Sequence, residues 1–215
     1  IMDLASFFDV LKLEAKELMK ASRRLSTPSK KAQLQKAVSA MDQCTRAGGR
    51  IVLMGVGKSG KIAQKISATL SSTGCPSFFV HPTEALHGDL GMLGRNDLIW
   101  AISYSGNSEE LASLLPTLVK DGHPIVGMGG QKNSRLGRLS NFWLDASVTR
   151  EACPHNLAPT SSTTLALAMG DAIALTLMKS HRFSKGDFKH HHPGGALGKR
   201  LTLLVSDLMH PLSKV

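Results

Sequence analysis

Apolar positions at the start of the chain recur at helical spacing. Leu4, Phe7, Phe8, Leu11, Ala15 and Leu18 fall on one helix face, and Leu34, Val38 and Met41 mark a second helix. A polar break rich in Ser and Lys separates the two at 26–31, with Pro28 inside it, and Gly48-Gly49 stops the second. Neither helix carries recognisable chemistry, and both are expected to pack on the main body or on a second subunit. From Arg50 the pattern changes. Short, unbroken apolar runs at 51–54, 77–80, 98–103, 124–128 and 142–146 are separated mostly by helical stretches, notably 58–72 and 108–120. Strands apolar on both faces that alternate with helices predict a parallel sheet covered on both sides. The expected fold is α/β, a three-layer doubly wound sandwich with a five-stranded parallel sheet, behind an N-terminal helical extension over 1–48. Ligands in such folds bind beyond the carboxyl ends of the strands. The turns after residues 54, 80, 103 and 128 are therefore where chemistry is to be sought.

The stretch 163–178 is apolar nearly all round, from Leu165 and Ala166 to Leu175 and Leu177. Such a helix is expected to be buried. If the sheet is already covered, its partner is a second subunit, which predicts a homodimer or homotetramer. The stretch is short for a bilayer and carries Asp171 at its centre, so no membrane span is expected.

Composition narrows the class of partner. The 215 residues, 42% hydrophobic, suit one ample domain or one domain with a helical extension. The net charge of +10, from 26 Lys and Arg against 16 Asp and Glu, suits either nucleic acid or an anionic metabolite. The basic residues are scattered, and one Tyr and two Trp supply no aromatic-basic interleaving, so nucleic acid is not expected. Cys44, Cys75 and Cys153 lie far apart without CxxC pairing, against a disulfide scaffold and in favour of a reducing compartment. The first ten residues lack a basic stretch ahead of an apolar core, so a secretory signal is not read there and a cytoplasmic protein is expected.

The first strand is followed by Gly55-Val56-Gly57-Lys58-Ser59-Gly60, which matches GxGxxG. A dinucleotide site needs an acidic residue closing the second strand, and Val80-His81-Pro82 stands there, with Glu84 beyond it. A Walker A loop needs glycine where Val52 stands. What survives is an anion-binding turn that carries a lysine, or a tight turn with a solvent-facing lysine. The third strand runs into Ser103-Tyr104-Ser105-Gly106-Asn107-Ser108, whose hydroxyl and amide groups can converge on a phosphate. A plain helix cap at Ser108 explains that residue and leaves Ser103 and Ser105 without a role. A third hydroxyl cluster, 160–164, opens the long apolar helix.

Five stretches in this order then carry a resemblance: Gly57-Lys58-Ser59-Gly60, the His87-Gly88-Asp89-Leu90-Gly91 run, Ser103-x-Ser-Gly106, the EACP run from Glu151 with LAPTSST after it, and HPGGALG from His192. Together they resemble the sugar isomerase (SIS) domain of arabinose 5-phosphate isomerases, over roughly residues 49 to 210. The resemblance implies an isomerase domain over 49–204 that interconverts ribulose 5-phosphate and arabinose 5-phosphate. Residues 205–215 would open a following pair of CBS domains, with Val205 to His210 resembling their start. Tyr104 stands where Asn is frequent in the family, and Asn107 where Glu or Asp is frequent.

An aldose–ketose isomerase must open the sugar ring, hold the phosphate, move a proton between C1 and C2, and stabilise the enediolate. By resemblance, Ser59, Ser103, Ser105, Ser108 and Thr163 would hold the phosphate, and Lys58 would stabilise the enediolate. Glu151, after the fifth strand and ahead of the hydroxyl cluster, is assigned as the base; a surface glutamate paired with Arg150 or Lys61 is the alternative. Glu110 lies in a first helical turn, where the helix dipole alone explains a carboxylate. His87 and His192 match family positions in the active site and suit ring opening. His190, His191 and His192 are adjacent and lack metal-ligand spacing, so no metal is expected, and the chemistry calls for no cofactor. In SIS proteins the segment after His192 reaches a neighbouring subunit's cleft, which implies a site completed by the oligomer. A sugar-phosphate sensor, or an isomerase of another phosphosugar, are the rival readings.

Overall fold

All five apolar runs form strands, because each is apolar on both faces and can be buried only between two helical layers. The computed structural model describes residues 4–192. Its strands are β1 (Ile51–Gly55), β2 (Ser77–Phe79), β3 (Leu98–Ile102), β4 (Ile125–Gly129) and β5 (Phe142–Asp145). They pair in parallel in the order β2-β1-β3-β4-β5. The order reverses between β1 and β3, so the loops leaving these neighbours diverge to opposite faces and leave a crevice.

The helices are α1 (Ala5–Leu25), α2 (Pro28–Arg46), α3 (Gly57–Ser72), α4 (Pro82–Leu86), α5 (Glu109–Lys120), α6 (Arg135–Leu139), α7 (Ser161–Ser180) and α8 (Lys185–His191). One apolar cluster joins the sheet to α1, α2, α3 and α7, and a second joins the other face to α4, α5 and α6. This is the expected three-layer sandwich. The short helices α4, α6 and α8 carry too few apolar positions to show a period.

Three expectations change. The break between α1 and α2 shrinks to Ser26 and Thr27, because Pro28 opens α2, where its missing N–H costs nothing. The apolar stretch 163–178 belongs to the 20-residue α7, which is long and apolar enough by length and composition to cross a membrane. Its burial comes instead from packing on α1 and α3 of the same chain, while Leu175 stays exposed. The composition of α7 therefore does not by itself demand a partner subunit.

The N-terminal helices also do more than cover apolar surface. Glu17, almost wholly buried, accepts hydrogen bonds from the Thr149 amide and from Lys20, both at 2.7 Å. Glu14 accepts from the Thr164 hydroxyl at 2.8 Å. Arg24 donates to the Ser147 carbonyl at 2.8 Å, and Lys30 pairs with Asp145 at 2.9 Å. These contacts brace the chain from the end of β5 to the start of α7.

At the amino edge of the sheet, Phe183 packs against Gly74 in the α3–β2 turn; a Cβ there would stand 2.3 Å from its ring. This places α8 and His192 at the edge opposite the strand ends that face the crevice. The residues of the HPGGALG run after His192 and the stretch 205–215 lie outside the described residues.

Asp97 organises the same edge. It accepts from the Arg50 amide (2.8 Å), Arg50 Nη2 (2.7 Å) and the Gly94 amide (2.8 Å). Burial pushes its carboxyl upward, but the Arg50 guanidinium and these amides outweigh burial and hold it below the usual aspartate range. A carboxyl lowered in the folded state contributes stability above its unfolded value, near 4, and loses it as pH falls through the lower folded value. Urea midpoints measured across pH are therefore expected to fall below pH about 4. Asp97→Asn is expected to cost about 2–3 kcal/mol at neutral pH, because its amide turns donors toward donors, and to flatten the acid limb.

Candidate active site

The crevice between β1 and β3 is built from three helix starts. Gly57 opens α3 with φ 58°, a region that side-chain-bearing residues rarely adopt. Gly60 then sits so close to Gly55 that a Cβ would stand 2.6 Å from the Gly55 carbonyl oxygen. This tight approach brings the first turn of α3, with Lys58 and Ser59, directly over the strand end.

In the loop after β3 the hydroxyls divide the work in an unexpected way. Ser103 Oγ accepts from the Gly106 amide at 3.1 Å, and Ser105 Oγ accepts from the Asn107 amide at 3.3 Å, so these two shape the loop. Ser108 occupies the N-cap position of α5, but its side chain makes no cap bond, and its buried Oγ has no partner. The serine that a cap was to explain is the one left unsatisfied. Asn107 accepts from the Arg135 amide at 3.0 Å and ties the loop to the start of α6.

The third start is closed from outside. Glu151 Oε2 accepts from the Thr160 amide (2.8 Å), the Thr160 hydroxyl (3.1 Å) and the Ser162 amide (3.1 Å). Asn156 accepts from the Glu151 amide at 2.7 Å, and the Glu151 carboxylate pairs with neither Arg150 nor Lys61. Burial pushes the Glu151 carboxyl upward. The Ser162 hydroxyl beside it, although it closes no well-formed bond, and the Thr160 and Ser162 amides outweigh that and hold it below the usual glutamate range. Ser161 and Ser162 hydroxyls are buried without partners.

A cavity of about 390 Å3 lies where the three starts meet. Lys58, Ser59, Ser103, Ser105, Ser108 and Thr163 all line it. Ser162 and Tyr104 line it too. Ser162 was legible only as part of a hydroxyl cluster, and Tyr104 only as an odd residue between two serines. Of the four remaining candidates, none lines the cavity. Glu151 lies one layer behind its wall, beneath Thr160 and Ser162. Glu110 sits in the first turn of α5, and His87 is the exposed residue that ends α4. His192 stacks on Phe188 with ring centres 4.0 Å apart, at the opposite edge. Chemically, the cavity offers hydroxyl donors, open helix ends and one cation, a set suited to an anion carrying further oxygen groups.

Comparison with known proteins bears on the family and the fold. The SIS domain family model matches residues 45–176. The chain is 50% identical over 173 residues to the arabinose 5-phosphate isomerase KdsD of Pseudomonas aeruginosa, covering 80% of this chain and 53% of that protein. It is 51% identical over 162 residues to the Escherichia coli K12 protein of the same name, covering 75% of this chain and 49% of that protein. The chain thus spans about half the length of the curated relatives it matches. A solved structure from E. coli CFT073, in complex with A5P, superposes with a TM-score of 0.79 at 36% identity, covering 89% of this chain and all of that one. The chain belongs to the SIS domain family, on the branch of the relatives named arabinose 5-phosphate isomerases.

Proposed function

We propose that this domain interconverts D-ribulose 5-phosphate and D-arabinose 5-phosphate through an enediolate. The observation that carries the reading is the buried, unpartnered hydroxyl of Ser108 on the wall of a cavity at the open helix ends. A buried hydroxyl without a partner costs about 1–3 kcal/mol, so a site that keeps one is built for a ligand that satisfies it. The names of the curated relatives, and the A5P complex of the E. coli CFT073 structure, support the choice of sugar.

In this reading the phosphate rests on Ser59, Ser103, Ser105, Ser108 and Thr163. Lys58, exposed at the cavity mouth, places its charge where the enediolate oxygens develop. Glu151 is assigned as the base that moves the aldose C2 proton to C1; it stands one layer behind the cavity wall, so the sugar must reach past Thr160 and Ser162. Its Oε2 is anchored by three donors, while Oε1 accepts no hydrogen bond among the described residues, which leaves one oxygen for the proton. The same donors keep the group ionised at neutral pH. His87 assists ring opening, and Glu110 reinforces the open start of α5. His192, at the far edge of its own subunit, serves the cavity of a neighbour. The exposed apolar face of α1, with Leu4, Phe7, Phe8 and Leu11, supports a homodimer or homotetramer in which that exchange takes place.

Three outcomes are expected. In a coupled assay the chain turns over both pentose phosphates, and Glu151→Gln loses at least about a hundredfold in kcat while still binding substrate. Binding of both sugars by the unmodified chain without turnover would mark a sensor instead. Ser108→Ala is expected to leave the melting temperature unchanged or slightly raised and to weaken inorganic phosphate about tenfold by calorimetry, since its hydroxyl bonds nothing until a ligand arrives. Mixing inactive Glu151→Gln and His192→Ala proteins is expected to restore activity toward about a quarter of the sites, whereas a site built within one subunit would restore none.

A further inference from the structure

We propose that Tyr104 sets the length of sugar chain the cavity admits, and that Gly130 is the seat that holds its ring in place. The proposal deepens the sugar-phosphate reading and rests on it. Tyr104 lines the cavity between two serines of the loop after β3, yet its ring crosses to the end of β4. A Cβ at Gly130 would stand 2.7 Å from that ring, and the Gly130 amide donates to the Tyr104 carbonyl at 2.9 Å. The phenol then reaches the main chain beyond β5, donating to the Val148 carbonyl at 3.5 Å and accepting from the Val148 amide at 3.4 Å. These two contacts are long and orient the ring more than they hold it. The hold comes from the close seat on Gly130.

The geometry has a consequence for the ligand. The hydroxyls suited to phosphate sit on the starts of α3, α5 and α7, while the Tyr104 ring stands across the ends of β3, β4 and β5. The phosphate-binding serines flank Tyr104, but its ring leaves them for Gly130 and the main chain at Val148, so a sugar that extends from the phosphate toward those strand ends meets an aromatic side chain with few torsions, seated on main chain. An added carbon with its hydroxyl must displace the ring. A side chain at Gly130 would push the ring inward and shorten the cavity.

The test is the affinity of arabinose 5-phosphate, glucose 6-phosphate and inorganic phosphate, measured by calorimetry on the intact chain and its variants. Tyr104→Ala is expected to shift the ratio of six-carbon to five-carbon affinity toward the six-carbon sugar by at least about tenfold, with inorganic phosphate unchanged. Tyr104→Phe should keep the native ratio, since it keeps the ring. Gly130→Ala acts on the ring from outside and should weaken arabinose 5-phosphate by about tenfold while sparing inorganic phosphate. If Tyr104→Ala does not fold, Gly130→Ala carries the test, and unchanged arabinose 5-phosphate affinity there overturns the proposal. A native ratio in well-folded Tyr104→Ala overturns it alone, leaving the isomerase reading standing if pentose phosphates still turn over. Failure of the unmodified chain to bind any sugar phosphate overturns both.

Discussion

Every helix start leaves main-chain N–H groups without partners, and the organisation of this protein turns on which starts are closed. The short helices α4, α6 and α8 close theirs with the side chains of His81, Ser134 and Ser184. The helices α3 and α5 do not: Val56 has no acceptor to offer, and Ser108 turns its hydroxyl elsewhere. Both open starts lie at the carboxyl edge, on either side of the point where the strand order reverses. Their partial positive charges add to that of Lys58. The fold thereby gathers two open helix starts and a lysine at one place on the carboxyl edge.

The third start shows the opposite solution. The carboxylate of Glu151 closes α7, and in doing so it holds the hydroxyl segment against the cavity. Two effects compete on this group. Desolvation favours the neutral acid, and the donors of Thr160 and Ser162 favour the anion; the donors win. The same anchoring weakens the group as a base, since a carboxylate stabilised by hydrogen bonds holds a proton less firmly. Position is gained at the expense of basicity. The loop that carries Glu151 is in turn braced by Glu17, Lys20 and Arg24 of α1 and by Lys30 of α2, so the N-terminal extension fixes the segment that leads into the cavity wall.

The amino edge has a different task. Asp42, His181 and Cys75 lie in line there, with His181 Nε2 3.0 Å from Asp42 and the Cys75 sulfur 3.7 Å from Nδ1. The order matches that of a nucleophilic triad, but burial and the nearby Asp42 charge push the Cys75 thiol up to about 11. A protonated thiol wholly shut from solvent is no nucleophile. The group ties α2, the α3–β2 turn and the end of α7 together. With Asp97 and Arg50 it makes this edge the structural one, and leaves chemistry to the other.

Much of this was legible in the chain. Unbroken apolar runs such as 51–54 and 98–102 must be buried on both faces, which dictates a parallel sheet, and its carboxyl edge then dictates where ligands bind. The residue types at those turns, glycine with lysine and clustered serines, carry the anion chemistry, and the run from Glu151 to Thr163 carries the family. What the chain could not convey is which polar group answers which. Ser108 looks like a cap and is left unpaired; Ser103 looks like a ligand and also builds its own loop; Glu151 faces helix amides that lie nine and eleven residues away. Tyr104 shows its role only beside Gly130, and α1 reveals its use only where Glu17 meets Thr149. Periodicity and residue type report on burial, which is a local property of the chain. Hydrogen-bond pairing and cavity shape depend on distances between segments far apart in sequence, and only the folded arrangement decides those.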